Sequence, residues 1–158
     1  MCVGVLTADR PRDHDALDRL AVSLVQQTGL LSRLVFLRLD VGVSRTEASL
    51  LARLDDGPAR ITALAELDGL AQPTVTLLVK SLESEGLVRR ERSPEDGRVV
   101  LVSLTPAGRE ALELVRTAYR ARVRACLTGL PSGDIARLEG AVDAMASLIE
   151  RVQQEGSR

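Results

Sequence analysis

The sequence predicts a mainly α chain with a small two-stranded β-wing, and three observations carry that reading. Val75, Leu78, Val79 and Leu82 recur at the i, i+3, i+4, i+7 spacing that lines one face of a helix. Two strand-like runs follow, Val88 to Arg92 and Arg98 to Leu104, separated by Ser-Pro-Glu-Asp-Gly, which is turn chemistry. Long amphipathic segments stand on either side, with no Pro- or Ser-rich linker to separate them from this centre. A chain of 158 residues is long enough for one core, so the expectation is a single domain over 1–158, or a compact centre continuous with helical flanks.

Taken in order, Leu17, Leu20, Ala21, Leu24, Leu31, Leu34 and Val35 predict an N-terminal helix from about Asp13 to Leu39. Ser44-Arg45-Thr46-Glu47 is a capping box, in which hydroxyl and carboxylate satisfy each other's backbone N–H groups; it opens a helix with Ala48, Leu51 and Leu54 inside. A shorter helix is expected to start near Thr62, with Leu64 and Leu67 inward and Ala65 small enough for close approach. Asp68, Gly69 and Leu70 make the turn that follows. Pro73 is compatible with the next helix because its first turn has free N–H positions, and Gly86 supplies a left-handed stop with Leu87 as the apolar closing contact. Beyond the hairpin, Thr105-Pro106 starts a helix carried by Leu112, Val115, Tyr119, Val123 and Leu127. Leu130-Pro131-Ser132-Gly133 breaks it. A last helix from Ser132 presents Ile135, Leu138, Val142, Met145, Leu148, Ile149 and Val152 on one side. Met1 to Asp13 and Gln153 to Arg158 are expected to be frayed ends.

Two short helices joined by a Gly-containing turn form a helix-turn-helix, whose second helix lies in a DNA major groove; the hairpin beside it is a wing. The outer face of that second helix carries Gln72, Pro73, Thr76, Leu77 and Lys80. Gln72 suits an adenine edge, the Thr76 and Leu77 methyl groups suit thymine, and Lys80 suits a phosphate. Arg89, Arg90, Arg92 and Arg98 place the hairpin along the phosphate backbone, with a guanidinium entering the minor groove. The competing reading is an edge hairpin protected by its charges.

The ordered set PTVTLLVKSLESEGLV, RRERSPEDGR and LVSLTPAGR resembles the recognition helix, wing and following helix start of the multiple antibiotic resistance regulator (MarR) family of winged helix-turn-helix transcription factors. The resemblance implies a winged helix-turn-helix over 44–104 and a helical dimerisation region made of 13–39 and 106–153. It implies DNA contacts at Gln72, Pro73, Thr74, Thr76 and Lys80 on the helix and at Arg98 in the wing, with Asp96 orienting the wing arginine. Ala71 departs from a common capping serine, which weakens the expected N-cap. Leu77 departs from a frequent arginine, which removes a phosphate contact. The family is similar in forming dimers about a two-fold axis, so the operator is expected to be a near-palindrome and the activity that of a homodimeric repressor. Packing of the terminal helices within one chain is the alternative to dimerisation. A winged-helix module that binds protein is the alternative to DNA binding.

Charge argues against the DNA reading, since the chain has 21 basic and 22 acidic residues. The central stretch Pro58 to Arg98 is no better, with Arg60, Lys80, Arg89, Arg90, Arg92 and Arg98 against Glu66, Asp68, Glu83, Glu85, Glu91, Glu95 and Asp96. A basic-patch criterion fails, and the reading requires the fold to separate signs, with Glu83 and Glu85 at the rear of the recognition helix. The resembling family includes acidic dimers that bind DNA. Cys2 and Cys126 indicate no structural disulfide, and the residues around Cys2 do not suggest a redox sensor. His14, the one histidine, sits with Asp13 and Asp15 as a helix-start cluster, so no metal or cofactor is expected. No Ser/His/Asp set or phosphate loop indicates an enzyme. Arg116, Arg120, Arg122 and Arg124 read as a solvated helix face. The resemblance implies a small, often phenolic effector between the dimerisation helices and the winged unit. Phe36 and Tyr119 are the only aromatics, so ring stacking is poorly supplied and an aliphatic effector, or none, remains open. No apolar run approaches membrane-spanning length and the start lacks a signal-peptide layout, so a cytoplasmic protein is expected.

Overall fold

The computed structural model describes residues 14–94 and 96–155; the expectations for Cys2, Asp13 and the extreme tails lie outside them. The chain divides after Asp40 into two units, each described by itself. In the first, α1 (His14–Phe36) is amphipathic, yet Leu17, Leu20, Leu31 and Leu34 are all more than two-fifths exposed. It stops short of the expected Leu39. The N–H groups of Arg38 and Leu39 donate three residues back, to Val35 and Phe36, tightening the last turn until the helix ends.

The second unit, Val41–Arg158, begins with α2 (Arg45–Asp55). Its capping box is formed as expected: the Glu47 N–H donates to Ser44 Oγ at 3.2 Å, and the Ser44 N–H donates to Glu47 Oε2 at 2.8 Å. Next come α3 (Ile61–Asp68) and α4 (Gln72–Ser84), then the antiparallel strands β1 (Val88–Arg92) and β2 (Val100–Leu104). Leu50 and Leu51 of α2, Leu64 of α3, Val75, Val79 and Leu82 of α4 and Val102 of β2 are fully enclosed together. Each such side chain gains about 1.5–3 kcal/mol over an exposed one, so this cluster holds the unit together.

α3 corrects one expectation. Leu67 is 59 % exposed, and the inward positions are Ile61, Leu64, Ala65 and Asp68. Those four fall at i, i+3, i+4 and i+7, so the helical period places Asp68, and not the leucine before it, over the core-facing stripe. The chain then turns at Gly69, whose φ is 62°.

The exit from α4 fixes the wing. Gly86, at φ 74°, donates its N–H to Glu83 O, and the Leu87 N–H donates to Leu82 O at 2.8 Å, closing a Schellman motif with Leu87 packed on the core. The register pairs Val88 with Leu104, Arg90 with Val102 and Arg92 with Val100. The second strand begins at Val100, two residues later than expected, because Arg98 and Val99 are taken up in the turn. Ala59 exchanges two backbone hydrogen bonds with Val102 on the other edge of β2, at 3.0 and 2.8 Å. β2 is thus held from both sides.

Thr105 caps α5 (Pro106–Leu127): its Oγ1 accepts from the Gly108 N–H at 3.0 Å and donates to the Gly86 carbonyl at 2.6 Å. The same side chain therefore starts one helix and ties it to the end of another. A Cβ on Gly108 would lie 1.9 Å from the Leu87 carbonyl oxygen, so only glycine permits this approach. On α5, Leu112 and Val115 are buried, Tyr119 and Val123 half-buried, and Leu127 exposed. Arg116 bridges Asp55 of α2 at 2.9 Å and Glu113 at 2.8 Å, so it is not part of a free solvated face; Glu113 first, then Asp55, holds its pKa above the ordinary value. α6 (Ser132–Glu155) has no buried residue. It continues through Gln153 and Gln154 to Glu155, into the stretch where fraying is expected.

Two outcomes are expected. Gly108→Ala should lower stability by about 3 kcal/mol in chemical denaturation, because the added methyl meets backbone that cannot swing aside. Glu47 is held below its ordinary value of 4.5, chiefly by the Ser44 backbone N–H, with burial opposing. Its stabilisation is present above that value and is lost as pH falls through the lowered folded value. Glu47→Ala should therefore be about 1 kcal/mol less stable than wild type at pH 7, and the gap should shrink in acid.

Candidate nucleic-acid interface

The outer face of α4 follows from its inner one. Because Val75, Val79 and Leu82 are fully enclosed and Leu78 half-buried, the residues between them point away from the core. Gln72, Pro73, Thr74, Thr76, Leu77 and Lys80 are all exposed, and Leu77 is 68 % exposed. Ala71 is the N-cap and offers no side-chain hydrogen bond, so the first turn of α4 keeps N–H groups uncapped by a side chain. The Thr76 hydroxyl donates back to Gln72 O at 2.9 Å, leaving its methyl as an outward group.

The turn before α4 is held by a contact that the sequence reading missed. Asp68, with its side chain only 8 % exposed, accepts from Arg53 Nε at 3.1 Å and lies 3.3 Å from Ser49 Oγ. Ser49 and Arg53 are four residues apart on α2, so both reach the same carboxylate. The signal was available in that spacing, and in the helical position of Asp68 relative to Leu64.

In the wing, the arginines divide into two kinds. Arg90 Nε lies 3.2 Å from Glu83 Oε2, and Arg89 Nε lies 3.0 Å from Glu91 Oε1 and 3.2 Å from Ser103 Oγ. The expected separation of signs is therefore incomplete: Glu83, at the rear of α4, pairs with Arg90, and at this half-exposed site the pair gains only a modest Coulomb attraction over hydration of the separate charges. Arg92 Nη1 donates to Gly97 O at 3.0 Å, bracing the tip. Arg98 is exposed, and among the described residues its guanidinium and the Lys80 ammonium have no ion-pair partner. Asp96 Oδ1 accepts from the backbone N–H of Arg98 at 3.0 Å, so it shapes the turn that carries the arginine and does not grip the guanidinium. Among the described residues no cluster of metal-ligating side chains occurs, and the Cys126 thiol is free and exposed.

A short helix, a Gly turn, a second helix with one free face and a β-hairpin continuous with it define a winged helix-turn-helix protein. The MarR family model matches residues 43–100. An uncharacterized HTH-type transcriptional regulator of Mycobacterium bovis is 34% identical over 140 residues, which cover 87% of this chain and 96% of that one. The chain belongs to the MarR family of HTH-type transcriptional regulators. Two solved structures share the fold. The transcriptional regulator BldR from Sulfolobus solfataricus superimposes with a TM-score of 0.71 at 24% identity, covering 89% of this chain and 99% of that one. CouR from Rhodococcus jostii RHA1, bound to p-coumaroyl-CoA, gives 0.61 at 23% identity, covering 82% of this chain and 92% of that one. Among the described residues no helix is long and apolar enough to cross a membrane.

The Asp68 contact makes a checkable demand. Arg53→Met should cost about 2 kcal/mol in stability, because it leaves an enclosed carboxylate with a single hydroxyl partner, while Arg53→Met combined with Asp68→Leu should recover much of the loss. Denaturation curves of the single and double variants measure both.

Proposed function

We propose that this regulator binds double-stranded DNA as a homodimer on a near-palindromic operator, with α4 in the major groove and the wing along the backbone. The carrying observation is the division of α4: three fully enclosed residues behind, and Gln72, Pro73, Thr74, Thr76, Leu77 and Lys80 exposed in front. In this reading Gln72 and Thr74 meet base edges or sugar-phosphate near the helix start, Lys80 meets a phosphate, and Arg98 enters the minor groove from the wing tip. Arg92 supports the tip it is hydrogen-bonded to, and Asp96 sets its turn. Leu77 is an apolar base contact. Arg90 belongs to the scaffold first and reaches phosphate only by leaving Glu83.

Dimerisation rests on exposed apolar residues that water disfavours: Leu138, Val142, Leu148, Ile149 and Val152 on α6, and Leu17, Leu20, Leu31 and Leu34 on α1. Repression is the simpler mode of action, since occluding a promoter requires no dedicated contact with polymerase. The CouR ligand, a thioester of an aromatic acid, supports control by a small molecule, which would act through different affinities for two spacings of the recognition helices. With Phe36 and Tyr119 as the only aromatics, an aliphatic effector fits this chain at least as well. The formal charge of -1 favours a second reading, a winged-helix module for a protein partner.

Mobility shifts on the protein's upstream region and on duplexes selected from random pools, run as a salt series, separate the two. Lys80→Ala and Arg98→Ala should each weaken binding at unchanged melting temperature. Each should also flatten the salt dependence by about two units of slope per dimer, one per lost phosphate or groove cation in each subunit. Unchanged affinity in both variants would remove these contacts, and no bound duplex at low salt would favour the protein-binding module.

A further inference from the structure

We propose that α4 reads the C5-methyl groups of thymine, with Leu77 as the specificity-determining residue, so that each half-site presents A·T pairs to the helix and disfavours guanine where Leu77 lies. This rests on the DNA-binding reading above and adds to it the kind of sequence bound. The argument is an inventory of what α4 has available. From Gln72 to Leu77 the helix carries no cation, so the forked donor that pairs with guanine O6 and N7 is missing from the stretch nearest the bases.

Its hydroxyls are also largely engaged. Thr76 Oγ1 donates to Gln72 O at 2.9 Å, Ser81 Oγ to Glu85 Oε1 at 3.3 Å and Ser84 Oγ to Ser81 O at 2.7 Å. What remains outward is the Gln72 carboxamide, the Thr74 hydroxyl, and an apolar patch made of the Pro73 ring, the Thr76 methyl and the Leu77 side chain. Leu77 is 68 % exposed, more than Leu67 on α3, and contributes nothing to the core at that position. Such a patch is a cost in water and becomes favourable only against an apolar counterpart.

Charge identifies the counterpart. No carboxylate occurs between Gly69 and Leu82, Lys80 stands one turn beyond Thr76 without an ion-pair partner among the described residues, and the first turn of α4 is not capped by a side chain. The surface is therefore apolar at its centre, free of negative charge, with one cation beyond it at Lys80 and the N-terminal end of the helix before it. A major groove floored by thymine methyl groups and edged by phosphates has the complementary arrangement.

The test uses the full-length protein and the best duplex selected from a random pool. Thymines in each half-site are replaced singly by deoxyuridine, which removes one methyl group and keeps every base pair. Wild type should lose roughly two- to fourfold in affinity at the thymine facing Leu77 and at its neighbour facing Thr76, the scale of one buried methyl. Leu77→Ala should bind the thymine duplex more weakly at unchanged melting temperature and be insensitive to uracil at its own position, a coupling that a merely structural role would not produce. Leu77→Arg should shift the selected base there toward guanine. Tight, salt-dependent binding that is indifferent to uracil at every position, or guanine selected opposite Leu77 by the wild type, would overturn this inference and leave DNA binding standing. Failure to bind any duplex would overturn both.

Discussion

The organisation of this protein depends on one helix having to face two ways. Val75, Val79 and Leu82 are enclosed with Leu50, Leu51, Leu64 and Val102, contributed by three other elements, so α4 cannot roll without exposing them. Rotation by one residue would move roughly 100° of helix and turn Thr76 or Leu78 inward in place of a valine. The apolar core thereby sets the azimuth of the exposed face with no contribution from the exposed residues themselves. That separation leaves the exposed residues, Leu77 among them, free of any packing role.

Azimuth alone does not place a helix along its own axis, and polar contacts supply the rest. At the start of α4, Asp68 joins the turn to Arg53 and Ser49 of α2. At its end, the Leu82 carbonyl takes the Leu87 N–H, and Thr105 joins the Gly86 carbonyl to the first turn of α5. Gly108 lets α5 come close enough for that hydroxyl to reach both. The wing inherits its direction from this corner, and its far strand is held on both edges by Arg90's strand and by Ala59. Both ends of α4 are thus fixed by groups in which a carboxylate or hydroxyl has two partners, an arrangement that transmits orientation better than apolar contact, which tolerates sliding.

Much of this was legible in the amino-acid order. The period of α4, the Ser44 to Glu47 capping box, the Gly86 stop and the Thr105-Pro106 start are local signals whose physics involves residues a few positions apart, and the structure has each of them. What the order leaves hidden closes across elements. Leu67 was assigned inward because it is apolar, whereas its place on the helix put Asp68 there, and the partner that makes a buried carboxylate tolerable lies fifteen positions away on another helix. The pairing of Arg90 with Glu83 likewise depends on the angle at which the wing leaves α4. Interactions that close across elements leave only indirect traces along the chain, such as the four-residue spacing of Ser49 and Arg53.

Those cross-element pairs also reinterpret the neutral charge. Counting residues treats every arginine as available, but Arg53, Arg89, Arg90 and Arg116 are each engaged by a carboxylate of the same chain. The near balance of 21 basic and 22 acidic residues includes charges that pair with each other inside the scaffold, so it says little about the front of α4. On the front of α4 and the wing tip, what bears on a polyanionic partner is Lys80, Arg92 and Arg98, whose charges no carboxylate of the described residues engages. A surface with so few free cations draws little affinity from counterion release. In the proposed DNA-binding reading, discrimination then falls to contacts that are short-ranged and insensitive to salt, and the exposed methyl groups of α4 are of that kind.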